Sequence, residues 1–220
     1  MQNKTNIIVL ISGRGSNLKA LLKQQDYYQI IAVLSDKPEA FGLQLAAQAG
    51  VPIIESFSRS SFSSKAEQKN AIYARIRSLN PDLICLAGFM QIVETSFVEE
   101  FYGKLINIHP SLLPELSGLE THRRAIDQGH NKHGCSAHYV DSGIDTGPII
   151  AQASCPVLKE DTEEILSLRV LELEHRLYPW VVAAIAKKQI WLERSENLPK
   201  GLVRFAAAAQ AEAESMGFKI

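Results

Sequence analysis

"LISGRGSNL", residues Leu10–Leu18, continues the apolar run "NIIVL" of residues 6–10. It places two glycines and several hydrogen-bonding side chains where a strand becomes a helix. In open α/β sheets, ligands bind beside the carboxyl ends of the strands. Gly13 and Gly15 allow the backbone to approach a ligand closely, and the N–H groups of a helix N-terminus attract anions. The stretch predicts a strand–turn–helix unit whose turn is either a phosphate site or a tight connection that binds no ligand.

The spacing of the glycines restricts the kind of phosphate that this turn suits. The dinucleotide pattern GxGxxG requires a third glycine where this chain has Leu18, and the chain lacks the GxxxxGK[ST] pattern of triphosphate sites. Ser16 and Asn17 add side-chain donors to the turn. We therefore expect a single phosphate group, such as that of a phosphomonoester, in preference to NAD or ATP.

Short β-branched runs alternate with helix-like stretches through the first half of the chain. This alternation predicts an α/β fold with an open, mostly parallel, Rossmann-like sheet and helices on both faces. Strands are expected at "NIIVLI", "IIAVLS", "VPIIE", "DLICLAG", "LINIH", "GCSAHYV" and "GPIIAQASCPV", and helices at "NLKALLKQ", "FGLQLAAQAG" and "SKAEQKNAIYARIRSL". A long helix is expected from Thr162 to about Lys188, then the segment "IWLE", and a further helix in the alanine-rich tail from Val203.

Composition and charge argue against several classes of protein. The 220 residues carry a formal net charge of −1, which does not favour nucleic-acid binding. The apolar stretch Ile7–Ile11 is too short for a secretory signal or a membrane span. The 3 cysteines form no CxxC pair, which favours a reducing compartment. We expect a cytoplasmic protein that binds neither nucleic acid nor membrane.

"LINIHPSLLP" carries the most specific polar pattern. Asn107 and His109 are two residues apart on a predicted strand that Pro110 ends, so both side chains point to one face. An amide and an imidazole side by side at the carboxyl edge of a sheet favour a functional site over two satisfied structural groups. A carboxylate to orient the histidine is available in "DSGIDTGPI", where Asp145 is the first candidate and Asp141 the second. The alternative for Asp145 is a turn former.

Together these segments resemble the phosphoribosylglycinamide formyltransferases, a folate-dependent family. The matching pieces are "VLISGRGSNL", "AVLSDK", "LAGFMQI", "LINIHPSLLP", "THRRAI", "HGCSAHYV" and "DTGPII", which follow the family order and cover most of the chain. The family transfers a formyl group from the co-substrate 10-formyltetrahydrofolate to the amine of N1-(5-phospho-D-ribosyl)glycinamide in purine biosynthesis, with no metal. The resemblance implies this fold and activity, with small-molecule substrates. It also implies a single formyltransferase domain over 1–220, with a ribonucleotide-phosphate half at 1–100, a catalytic and folate half at 101–195 and a tail at 196–220.

The resemblance implies roles for individual residues. Asn107, His109 and Asp145 would be catalytic: the amide donates to the oxyanion, and the carboxylate stabilises an imidazolium that donates a charged hydrogen bond and a proton. His138 and Gly118 would support them. The ribonucleotide would be bound by Gly13, Arg14, Gly15, Ser16, Asn17 and Glu174. The folate would be bound by Lys65, Met90, Gln91, Ile92, Val93, Asn107, Asp141, Ser142, Gly143, Ile144 and Asp145.

Without the resemblance, a structural role is favoured for Glu174 and is possible for the segment "GFMQI". Glu174 reads as a solvated helix charge, and "GFMQI" as the cap of a buried strand. The chain also departs from the family pattern. Lys65 stands where an arginine is common, and Leu171 replaces a polar or basic residue. Glu115, Ser117 and Glu120 occupy loop positions that are often basic, aromatic or histidine. We expect these changes to alter affinities and to leave the chemistry intact.

Other functions stay open at this point. A formyltetrahydrofolate hydrolase would use water in place of the amine, and normally carries a further N-terminal domain. A methionyl-tRNA formyltransferase needs a tRNA-binding domain and more positive charge. A metal-dependent hydrolase could use His109, His138 and Asp145, although their spacing matches no compact ligand motif. A ligand-binding module without catalysis is the alternative that is not an enzyme.

Overall fold

Helices and strands alternate along the computed structural model, which describes residues 4–195 and 198–220. The strands are β1 (Thr5–Ile11), β2 (Tyr28–Ser35), β3 (Ile53–Ser56), β4 (Leu83–Leu86), β5 (Leu105–His109), β6 (Lys132–Tyr139), β7 (Ile149–Pro156), β8 (Ile190–Ser195) and β9 (Leu198–Phe205). The helices are α1 (Ser16–Leu22), α2 (Phe41–Gln48), α3 (Lys65–Leu79), α4 (Thr95–Glu100), α5 (Thr121–Asp127), α6 (Glu163–Ala186) and α7 (Ala207–Met216), with a short 3₁₀ turn at Arg59–Ser61.

A seven-stranded sheet has the strand order β3-β2-β1-β4-β5-β6-β7. Strand β1 pairs in parallel with β2 and β4, and β2 pairs in parallel with β3. Strands β6 and β7 are antiparallel, and β8 and β9 form a separate antiparallel pair. The interior of β1 is buried at every residue of Ile7–Ile11, as a parallel strand covered on both faces requires. The predicted α/β, mostly parallel, Rossmann-like fold is confirmed.

The chain divides into two compact units, of which one ends at Ile106 and the other begins at Asn107. The division expected from the family, one domain over 1–220 with two halves and a tail, stays a prediction. Within the described residues, no helix is both long and apolar enough to cross a membrane.

In the first unit, local signals determine where α3 begins and ends. The Ser64 hydroxyl accepts from the Glu67 N–H at 3.1 Å, and the Glu67 carboxylate accepts from the Ser63 N–H at 2.7 Å. The first bond pairs an N–H group of the first helical turn, and the second ties the Glu67 carboxylate to the residue before the N-cap. Asn80 ends the helix in the left-handed conformation with φ 44°. The predicted helix and its end are both confirmed.

In the second unit, α6 packs on the β6–β7 pair. It starts after Thr162, whose hydroxyl accepts from the Ile165 N–H at 3.3 Å, and its buried side includes Leu166, Val170 and Leu177. The chain beyond β9 packs back on this unit. Lys219 pairs with Gln152 of β7, and the Phe218 ring lies 5.4 Å from the Trp180 ring of α6.

Three elements differ from the sequence prediction. Strand β9, which includes Val203–Phe205 and pairs with β8, was not predicted, whereas the helix expected in the alanine-rich tail is present as Ala207–Met216. Helices α4 and α5 have 6 and 7 residues. Helices this short show only a weak hydrophobic period, and these two were not predicted.

Candidate active site

His109 ends β5 and is held between two acceptors. Its Nδ1 lies 3.3 Å from Asp145 Oδ2, and its Nε2 lies 3.1 Å from the Leu116 carbonyl oxygen. A neutral imidazole would direct a lone pair at one of these acceptors, whereas the imidazolium donates to both. The ring is buried, so these contacts fix its orientation. The geometry suits a charged histidine.

Asn107 lies beside a second histidine, and the hydrogen bonds of that histidine orient the amide. His138 Nδ1 lies 2.9 Å from its acceptor, the Tyr139 carbonyl oxygen, so Nδ1 carries the proton. Burial lowers the pKa of His138, which favours the neutral ring. Its Nε2 then accepts from Asn107 Nδ2 at 3.2 Å. The Asn107 NH₂ group keeps a second hydrogen for another acceptor.

Asp145 joins these groups. Its Oδ2 faces His109 and accepts from the Gly118 N–H at 2.9 Å, while its Oδ1 lies 3.8 Å from His138 Nε2. Asp145 itself has φ 55°, a left-handed conformation that is uncommon outside glycine. The structure therefore brings Asn107, His109, His138, Asp145 and Gly118 together within one unit.

The turn around Asp145 is closed by Asp141. Asp141 Oδ1 accepts from the Gly143 N–H at 3.0 Å and from the Thr146 hydroxyl at 2.7 Å. Burial raises the pKa of Asp141, but hydrogen bonds from Thr146, Lys200 and Gly143 outweigh burial and lower it overall. The predicted folate segment Ser142–Ile144 is exposed at the tip of this turn.

The segment between β5 and α5 was not expected to touch the histidine. Ser111 Oγ donates to the Glu115 carbonyl oxygen at 2.8 Å, and Leu116 is left-handed with φ 54°. This bend directs the Leu116 carbonyl at His109 Nε2. The direction of the Leu116 carbonyl depends on backbone torsions several residues after His109, so no sequence motif indicates this contact.

In the first unit, the glycine-rich turn has the expected geometry. Gly15 has φ 75° and precedes α1, and a Cβ there would lie 2.6 Å from the Gly42 Cα of α2. The Gly42 N–H donates to the Gly13 carbonyl oxygen at 3.1 Å. Asn17 is buried, Ser16 is half-buried and Arg14 is exposed. Gly15 and Gly42 thus allow the close approach of α1 and α2.

A hydrogen-bond network links this turn to Met90 and Gln91. The Ser12 hydroxyl donates to Asp36 Oδ1 at 2.6 Å and accepts from the Met90 N–H at 2.9 Å. Gln91 Nε2 donates to Asp36 Oδ2 at 3.1 Å and lies 3.2 Å from Gln68 Oε1. The motifs contained Ser12 and Asp36, but neither was recognised as a functional candidate.

The segment that follows the buried strand β4 exposes two of its apolar side chains. Met90 is 65% exposed and Ile92 is 60% exposed, while Val93 is buried. They lie beside an open cleft of about 990 Å³, which Met90 and Ile92 line together with Lys65. The other cationic residues of the cleft are Lys37, Arg59 and Lys69. The cleft offers an apolar wall and cations that suit an anionic group.

Glu174 is buried on α6, so its interpretation as a solvated charge is wrong. Burial raises the pKa of the Cys135 thiol, and the Glu174 charge adds to this effect. Among residues 4–195 and 198–220, no cluster of three or more His, Cys, Asp and Glu side chains is arranged to hold a metal ion.

Comparison with known proteins identifies close relatives. The model of the formyl transferase family matches residues 5–182. The phosphoribosylglycinamide formyltransferase of Escherichia coli is 40% identical, over 89% of this chain and 97% of that protein. The trifunctional purine biosynthetic protein adenosine-3 of Drosophila melanogaster is also 40% identical, but the chain covers only 14% of its length. Glycinamide ribonucleotide transformylase 1 of Symbiobacterium toebii superimposes with a TM-score of 0.85 and 37% identity, over 93% of this chain and 95% of that one.

Proposed function

The chain belongs to the formyl transferase family, and on this premise we propose that it transfers a formyl group from 10-formyltetrahydrofolate to the amine of glycinamide ribonucleotide in purine biosynthesis. The amine attacks the formyl carbon and an oxyanion forms; the new ammonium then loses a proton, the bond from the formyl carbon to N10 of the folate breaks, and N10 takes up a proton as tetrahydrofolate departs. Such a reaction needs donors directed at the oxyanion and a group that moves a proton.

One observation carries the assignment of the site: Asn107 and His109 lie at the end of one strand, and Asp145 contacts the histidine. The second Asn107 N–H donates to the formyl oxygen as negative charge develops there. His109, held as imidazolium by Asp145, donates a charge-assisted hydrogen bond, which is stronger than a neutral one. His138 orients the Asn107 amide, and the Gly118 N–H orients the Asp145 carboxylate.

His109 Nε2 is the ring nitrogen that acts on the substrate, because Nδ1 is occupied by Asp145. Nε2 donates to the Leu116 carbonyl here, so the substrate oxygen must replace that carbonyl. This exchange substitutes one acceptor for another, and it therefore costs less than breaking a hydrogen bond without replacement.

The substrate contacts follow from the same proposal. The turn Gly13–Asn17 binds the ribonucleotide phosphate, and the buried Glu174 carboxylate accepts hydrogen bonds from the ribose hydroxyls. The folate is bound by Met90–Val93 and by Asp141–Asp145, with Lys65 facing the carboxylate tail. Exposed Met90 and Ile92 offer apolar surface for a flat heterocycle.

The test uses the purified protein with 10-formyltetrahydrofolate, with and without glycinamide ribonucleotide, and no added metal. We expect tetrahydrofolate to form only when the amine is present, with one formylated ribonucleotide per donor consumed. Loss of donor without the amine would identify a hydrolase. Binding of both ligands with no turnover would identify a module without catalysis.

A further inference from the structure

The β8–β9 pair reaches the turn that carries Asp145 through Lys200 of β9. Lys200 Nζ lies 3.0 Å from Asp141 Oδ2 and donates to the Thr146 carbonyl oxygen at 2.7 Å. We propose that Lys200 is a positioning residue for the reaction, which holds the Asp141–Thr146 turn so that Asp145 stays against His109. The proposal rests on the proposed function of Asp145.

The Asp141–Thr146 turn needs such support because the hydrogen bonds within it use only one of the two Asp141 carboxylate oxygens. Asp141 Oδ1 is used by the Gly143 N–H and the Thr146 hydroxyl, and Oδ2 is the oxygen that faces Lys200. Asp145 is held in the left-handed conformation, which costs about 1 kcal/mol or more for a residue with a Cβ. Contacts at both ends of the turn keep Asp145 in this conformation.

Lys200 is suited to this role because it makes contacts on both sides of Asp145. One contact is to Asp141, four residues before Asp145, and the other is to Thr146, the next residue. The strand that carries Lys200 is itself fixed, since Ser195 pairs with Leu198 and Glu193 pairs with Leu202. The strand is therefore paired with β8 both before and after Lys200.

The chemistry of Lys200 is that of a tether. Lys200 contacts Asp141 and Thr146, which flank Asp145 in the chain, so its role acts through the turn. The Lys200 side chain is 54% exposed and that of Asp141 is 18% exposed. A half-exposed ion pair is weak. Its loss therefore shifts the turn only slightly and leaves the fold intact.

The first experiment compares Lys200→Met, Lys200→Arg and the control Lys159→Met, which removes another exposed lysine of the same unit. We expect Lys200→Met to lower kcat and to raise the KM for the folate, with a combined three- to tenfold loss in kcat/KM. The KM for the ribonucleotide and the midpoint of thermal unfolding stay at the parent values. Lys200→Arg keeps the charge and recovers most of the loss, and Lys159→Met equals the parent.

The second experiment tests whether Lys200 acts through Asp141. Asp141→Asn removes the charge of the same ion pair from the other side, and the double variant should be no slower than the slower single variant. Equal kinetics in parent and Lys200→Met, fully additive losses, or an equal loss in Lys159→Met would overturn the proposal.

A third measurement does not depend on turnover. Hydrogen exchange of a peptide that spans 141–147 should be faster in Lys200→Met than in the parent or Lys159→Met. If the parent lacks formyl transfer, the proposed function fails while this exchange still tests the tether. If the parent is active and the exchange is unchanged, only the tether fails.

Discussion

At the scale of single residues, the orientation of Asn107 is determined by the protonation of its neighbour. The neutral His138 ring uses Nδ1–H for the Tyr139 carbonyl and therefore presents a lone pair at Nε2. Only the NH₂ side of the Asn107 amide satisfies that lone pair. An amide that could point either way is thus turned with its donors towards the candidate site.

Asn107→Ala should therefore abolish most turnover and keep the fold. Loss of one oxyanion donor typically costs about 10²–10³-fold in kcat. Steady-state kinetics would measure kcat, and circular dichroism with thermal unfolding would establish that the variant is folded. Asn70→Ala, an exposed position on α3, is the matched control. A folded Asn107 variant with near-parent kcat would remove this residue from the mechanism.

His133 should make stability depend on pH. Burial lowers its pKa from the usual 6.5 to about 4, and the nearby His122, His130 and His109 add to the effect. The unfolded chain takes up this proton below about pH 6.5, while the folded protein resists it. The stabilising contribution is therefore present above pH 6.5 and is lost as pH falls towards 4. We expect about 2 kcal/mol of the free energy of unfolding to be lost between pH 7 and 5 through this group.

His133→Gln isolates that contribution, because the glutamine amide offers both a donor and an acceptor to His122 Nδ1, which lies 3.1 Å from His133 Nε2 in the parent, and glutamine does not titrate. Urea unfolding at pH 7 and pH 5 gives the two free energies for parent and variant. The pH-dependent loss should be smaller in the variant by about 2 kcal/mol. Equal losses in the two proteins would contradict the assignment to His133.

At the scale of elements, the strand–turn–helix units could be predicted because their signals are local. Apolar runs defined the strands, and Pro110 marked the end of β5. The strand β9 could not be recognised, because its pairing with β8 is a contact between segments. The short α4 and α5 lack a period that sequence patterns can detect.

The candidate site divides in the same way. The shared strand predicted the pair Asn107 and His109, and the turn "DSGIDTGPI" offered Asp145 as the first candidate partner of the histidine. The contacts of Leu116 and Lys200, and the network at Asp36, depend on chain segments that meet only in three dimensions. A single sequence does not encode such contacts in any local pattern, so these residues were missed.

The close approach of α1 to α2 predicts that the protein is sensitive to a side chain at Gly15. Gly15→Ala adds a Cβ that would lie 2.6 Å from the Gly42 backbone, at φ 75°. We expect the free energy of unfolding to fall by about 2 kcal/mol or more, from left-handed strain together with the clash. Chemical denaturation measures the change.

Substitutions at two other glycines separate the effect of left-handed strain from that of the clash. Gly50→Ala has φ 71° but open space around the added Cβ, so it should lose about 1 kcal/mol from strain alone. Gly13→Ala has neither a positive φ nor a neighbour within 4 Å, and its unfolding free energy should stay near the parent value. If Gly15→Ala were no worse than Gly50→Ala, the close approach of the helices would not matter for stability.

At the scale of the whole molecule, the proposed functions fall in different units of the chain. The Gly13–Asn17 turn precedes Ile106, whereas Asn107, His109 and Asp145 follow it. If the turn binds phosphate and the other three residues serve the chemistry, kinetic parameters should separate along the same division. Affinity for the ribonucleotide should depend on the Gly13–Asn17 turn, and kcat should depend on Asn107, His109 and Asp145.

Asn17→Ala tests this separation. We expect the KM and the dissociation constant for glycinamide ribonucleotide to rise by about tenfold or more, because a hydrogen bond to a charged group contributes about 1.5–3 kcal/mol. Folate binding and kcat at saturating ribonucleotide should change little, the reverse of Asn107→Ala. Since Asn17 is buried, Ser16→Ala at the less buried neighbouring position gives a second variant with less risk to folding. Calorimetric titration of each ligand into both variants measures the affinities, and equal losses for ribonucleotide and folate would refute the assignment of the turn to the phosphate.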